Sequence, residues 1–263
     1  MVLETLIDIE ATRKNYYWVF IIAAFVTAVS VLIASLLFPR SPGMFSVVFT
    51  TFGLLPFMVK LMRTEAKEEE LEAKRQKGFF HVHKDVIYIY TSLFLGEVFA
   101  WLILYLFLPH EIAMKIFRDQ ITEINLIRGR LTALGTYEKI VLNNLGVLSL
   151  CVLLSFLYSS GAIFILSWNA SVLAAAIGMT AESMGGLHTL PLAVLVFLPH
   201  GSLEILAYFL GGIAGGMISA EVFRPNKNRW LSYVFWDAVS LIAVAALLII
   251  IAGAIETAAI YLR

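Results

Sequence analysis

Leu198-Pro199-His200-Gly201-Ser202-Leu203-Glu204 lies inside an apolar run of about 34 residues, from roughly Leu190 to Phe223, and its reading decides the fold. One straight membrane span needs about 20 apolar residues, so the run is too long for one and Pro199 is a natural place to divide it. Residues 190–198 then form a half-helix or re-entrant piece, and a sixth span starts at Gly201. A helix through this stretch places His200 and Glu204 one turn apart on one face. Ionisable groups in an apolar segment usually face a protein interior, a partner or a wet cavity, which makes this pair the first functional candidate. A plainer reading has Pro199-His200-Gly201 open a helix, with Glu204 in its first turn stabilised by the helix dipole.

The composition places the whole chain in the same environment. Of 263 residues, 60% are hydrophobic and 14% charged, with mean hydropathy +0.86. Soluble domains are nearer half apolar and a quarter charged, so this is an integral membrane protein whose first partner is the lipid bilayer. Lys plus Arg and Asp plus Glu number 19 each, and no basic field argues for nucleic acid. The lone Cys151 forms no internal disulfide. The first apolar run, about 23 residues, is too long for a signal-peptide core and reads as a retained span.

Seven spans follow from run length. They lie near Tyr16–Phe38, Phe45–Met62 (kinked at Pro56), Val86–Leu108, Asn143–Ser159, Gly161–Ala181, Gly201–Phe223 and Trp236–Tyr261. A short surface helix is expected before Tyr16, a tight turn at Pro39–Gly43, and a loop at Glu182–His188. The expected fold class is all-α, a polytopic transmembrane helical bundle. Between spans 2 and 3, seven cations from Lys60 to Lys84 alternate with five glutamates, and Glu70 to Lys74 has the favourable helical order. Residues 109–138 carry apolar positions at Ile112, Ile116, Ile121, Ile124 and Leu131, which predicts amphipathic helices at the interface or on the bundle. Short-loop cations favour a cytoplasmic N-terminus and an external C-terminus.

Several residues bear on chemistry. Asn143 and Asn144 open span 4, and Asn169 lies inside span 5, where an amide must find partners, expected among polar groups of spans 4 and 6. Gly211, Gly212, Gly215 and Gly216 form overlapping Gly-x-x-x-Gly patterns that let another helix approach closely, either within the chain or from a second subunit. Glu97, Glu182, His188, His200 and Glu204 could supply metal ligands, but His-x-x-x-Glu is not the zinc-protease pattern and no third ligand is identified. His81 and His83 are two apart, on opposite sides of any helix. No nucleophile elbow, phosphate loop or dinucleotide fingerprint occurs. No cofactor, metal or enzymatic activity is expected.

Taken in order, Asn143-Asn144, Asn169, Leu198-Pro199-His200-Gly201, Glu204 and the Gly211-to-Gly216 run resemble the stage II sporulation protein M family, also called DUF95. The resemblance covers about residues 86–263 and rests chiefly on Pro-His-Gly-x-x-x-Glu. It sets residues 1–85 apart as a two-span N-terminal module, and Ala170 stands where the family usually has glycine. What it implies is a non-enzymatic cell-envelope scaffold that organises other membrane or envelope proteins, with a polar core at Asn143, Asn144, Asn169, Pro199, His200, Gly201 and Glu204. A small transporter, channel or lipid-handling protein using the His200/Glu204 pair is the other function class.

Overall fold

The structure, a computed structural model, describes residues 15–73, 79–130, 135–222 and 230–261, with side chains over 15–60, 83–126, 135–222 and 234–261. The described chain is helical: α1 (Tyr17–Leu37), α2 (Pro42–Ala73), α3 (Phe79–Phe107), α4 (His110–Ile116), α5 (Arg118–Arg130), α6 (Thr136–Tyr158), α7 (Ala162–Met184), α8 (Leu190–Val222) and α9 (Trp230–Tyr261). A 3₁₀ turn, Leu187–Thr189, leads into α8. Among the described residues seven helices are long and apolar enough to cross a membrane, as run length predicts. In hydrocarbon every backbone group must bond internally, which leaves a closed helical bundle as the solution for such a sequence.

The helices run alternately up and down, and polar contacts pin their ends. At one end, called here the Leu37 end, Tyr105 Oη donates to Glu182 Oε2 at 3.0 Å and Met44 N donates to Asp119 Oδ2 at 3.3 Å. At the other, Tyr16 Oη donates to Asp85 Oδ1 at 2.8 Å, and His83 Nε2 lies 3.3 Å from Asp237 Oδ2. One core joins Val19 and Ala23 of α1 and Leu54 and Phe57 of α2 to Tyr90 of α3, Cys151 of α6, Leu166 of α7, Tyr208 of α8 and Leu241 of α9. Spans 1 and 2 share this core with the later helices. Phe25, Leu36, Phe52, Leu153 and Leu247 remain exposed on the outer surface, as a lipid-facing bundle requires.

Four expectations are corrected. Residues 190–222 form one continuous α-helix through Pro199, with neither a re-entrant piece nor a helix start at Gly201. Proline removes one backbone bond, but breaking the helix in lipid would strand several more polar groups, so continuity wins. Glu204 therefore lies mid-helix, away from any N-terminal dipole. Second, α6 begins at Thr136, so Asn143 and Asn144 lie two turns inside the helix rather than at its start. Third, α2 starts at Pro42 within the expected turn and runs without interruption through Pro56 to Ala73, into the charged segment. Fourth, α7 continues to Met184 through the first part of the expected loop. The surface helix before Tyr16 and the segment 74–78 lie outside the described residues.

The 109–138 segment packs on the bundle. Phe117, at the α4–α5 junction, is fully buried and sets its ring edge-on to Trp101 and Tyr105 of α3, centroids 5.3 and 5.1 Å away. Ile116 and Ile124 are buried beside it, whereas Ile112 is exposed. Gly43 makes this closure possible, since a Cβ there would collide with the Ile116 carbonyl oxygen.

Candidate functional site: an acidic pair between α6, α8 and α9

The glycine run places α8 against α6. A Cβ at Gly215 would strike the Val152 carbonyl oxygen, one at Gly216 would come within 2.7 Å of the Ser159 carbonyl oxygen, and one at Gly211 within 2.5 Å of Leu148 Cδ1. A Cβ at Gly212 would come within 2.9 Å of Ala162 Cβ of α7. Of the two neighbours open to this face, a second subunit or an internal helix, α6 and α7 of the same chain fill it. Close contact of small residues is the main source of helix association in lipid.

That approach brings Asn144 to Glu204. Asn144 Nδ2 donates to Glu204 Oε1 at 2.7 Å, and Asn143 Nδ2 donates to Asn144 Oδ1 at 3.3 Å. Asn144 is buried, Glu204 is half-buried, and Asn143 faces outward. Glu256 of α9, also half-buried, lies close enough to Glu204 for the two carboxyls to repel. Tyr208, one turn after Glu204 and buried, is within the electrostatic reach of both acids and of Cys151. Asn144 is eight residues from the start of α6, ~12 Å of helix rise below the Leu37 end. The site is an acidic pair with one amide donor and one phenol, set within the membrane-spanning part of the bundle.

The sequence-derived candidates divide. His200 is half-buried one turn before Glu204, its ring 6.1 Å from Phe197. Pro199 faces outward, and Gly201 has open space where a Cβ would stand, so neither packs the site. Asn169 donates to the Ile165 carbonyl oxygen of its own helix at 2.7 Å, not to spans 4 or 6. A bond back to the preceding turn gives one amide N–H its acceptor without a partner helix. Of the five candidate metal ligands, Glu97 lies beside Ser167, Glu182 bonds Tyr105, and His188 sits in the 3₁₀ turn. Among the described residues no three His, Cys, Asp or Glu side chains form a metal-binding group. His83 pairs with Asp237, and the side chain of His81 lies outside the described residues.

Glu256, near the end of span 7, is not among the sequence-derived site candidates. Its signal was present: it is the only acid between Ala238 and Tyr261, in a run otherwise apolar or small. Tyr208 carried no such signal, because an aromatic in a span is ordinary core.

The family model for stage II sporulation protein M matches residues 16–259, well beyond the 86–263 resemblance and including spans 1 and 2. No curated protein and no solved structure matches the chain. The chain therefore belongs to the stage II sporulation protein M family and is a multi-pass membrane protein built as a helical bundle.

Proposed function

We propose that this protein handles a small cation, the proton included, at the Glu204–Glu256 pair, as a small non-enzymatic transporter or channel. The observation that carries this reading is the second carboxyl. Removing a charge from water costs several kcal/mol, and apolar side chains of similar size would pack a bundle as well or better. Two neighbouring acids with one amide donor therefore make poor structural glue. They suit a site that is completed by positive charge. His200, on the same face of α8, is a candidate relay between this pair and the Leu37 end. Proteoliposomes with a trapped pH-sensitive dye, or with sodium and potassium indicators, test the reading. Flux that persists unchanged in Glu204→Gln with Glu256→Gln counts against it.

Family membership favours a second reading, a scaffold that holds envelope partner proteins. Fold and family are weaker grounds than the site itself, because one fold hosts many functions. In this reading the acidic pair only fixes the register of α6, α8 and α9. Affinity purification from native membrane tests it, and recovery of no reproducible partner contradicts it. In both readings we place the N-terminus and the 60–84 segment in the cytoplasm, so that the Leu37 end faces outward.

A further inference from the structure

Beneath α4 and α5 lies a second polar interior that the Glu204 site does not use. Glu97 and Trp101 stand one turn apart on α3, and Ser167 and Ser171 stand one turn apart on α7. The two ladders face each other, with the Ser167 hydroxyl turned towards the Glu97 carboxyl but short of ordinary hydrogen-bond geometry. Gln120 of α5 lies on the Leu37 side of this interior, its side-chain amide beside Gly43 of α2. Its Nε2 donates to Ser171 Oγ at 3.1 Å, while Ser171 donates to the Trp168 carbonyl oxygen at 2.7 Å. Phe117 covers Trp101. Glu97, Trp101, Gln120, Ser167 and Ser171 are all fully buried.

Five polar atoms of this interior make no hydrogen bond within the described protein: Glu97 Oε1 and Oε2, Trp101 Nε1, Ser167 Oγ and Gln120 Oε1. An unmet buried polar atom costs about 1–3 kcal/mol, so five together rival the whole stability of a domain. Something must meet them. Among the described residues no Lys, Arg or His acts on the Glu97 carboxylate. Trp101 Nε1 requires an acceptor and Gln120 Oε1 a donor, and water supplies both.

We propose that this interior is a monovalent-cation site, in which Glu97 holds one small positive charge, a proton or an alkali-metal ion, and water bridges it to Ser167, Trp101 and Gln120. The site is distinct from the Glu204–Glu256 pair and does not depend on that reading.

A hydrophobic carbodiimide, which modifies a carboxyl only in its protonated form, tests this on the full chain in detergent. Peptide mass spectrometry locates the adducts in choline, sodium and potassium chloride. Modification of Glu97 in choline, slowed about tenfold by sodium or potassium at about ten times its Kd, identifies a metal ion as the occupant. Equal modification in all three salts identifies a proton. A Glu97 left unmodified in every salt, while Glu204 and Glu256 in the same digest are modified, overturns the proposal. A second measurement needs no reagent. If sodium or potassium slows the modification, that salt also raises the Tm of the unaltered protein by more than that of Glu97→Gln. An equal rise in both overturns the assignment of the ion to Glu97.

Discussion

Asn144 of α6 and Glu204 of α8 share a 2.7 Å hydrogen bond that crosses the helix pair joined by the glycine run. The bond joins residues 60 positions apart in sequence, and it is the point where packing becomes chemistry. Asn144→Ala leaves the Glu204 carboxyl without its amide donor and should destabilise the bundle by about 1–3 kcal/mol. Glu204→Gln keeps an acceptor for Asn144 and removes the repulsion from Glu256, so it should be far milder. Thermal unfolding in detergent, followed by helical circular dichroism, distinguishes the two. Equal losses would mean that the bond contributes nothing specific.

The glycines of α8 and α6 should not behave alike. Gly215→Ala drives a methyl group into the Val152 backbone, and overpacking of this kind costs about 1–3 kcal/mol. Gly146→Ala and Gly201→Ala meet open space and, in helix interiors, should be neutral or stabilising by up to about 1 kcal/mol. A Tm series over the three variants checks the ranking.

Asp237 should act as a lock between α3 and α9. His83 is almost fully buried against it, with Nε2 at 3.3 Å. Asp237→Ala removes the carboxylate facing that ring and should lower Tm by more than Asp237→Asn, whose amide oxygen can still accept from a ring nitrogen.

Orientation is open to direct chemistry. In a Cys151→Ala background, Ser41→Cys stands at the Leu37 end and Ser159→Cys at the opposite end. A membrane-impermeant maleimide applied to intact cells should label the first and spare the second. The reverse pattern would invert the proposed topology.

How much of this was legible in sequence varies with the range of the interaction. Span number follows from apolar run length, a local property, and it came through. Pro199 misled because length and proline both argued for a break, while the requirement to bond every backbone group in lipid argued against one more strongly. The α6 helix starts before the expected Asn143 because a helix can continue past the apolar layer through polar residues such as Glu138 and Lys139. Asn144, Glu204 and the glycine run were visible as residue types. The electrostatic coupling of Glu204 to Glu256 was not, because nothing local announces an interaction between residues 52 positions apart (204 to 256) on different helices. Asn169 shows the converse: a polar residue in a span reads as a partner in the bundle, yet its amide donates to its own preceding turn.

The central claim is that the Glu204–Glu256 pair carries a small cation. Its most direct test is flux through proteoliposomes holding the unaltered protein, the Glu204→Gln/Glu256→Gln double variant and, separately, His200→Ala. Trapped dyes report protons, sodium and potassium. The account predicts protein-dependent movement of at least one of these ions, abolished in the double variant and slowed in His200→Ala, with the variants still folded. Movement at the unaltered rate in the double variant, or no protein-dependent movement of any of the three ions, would contradict it.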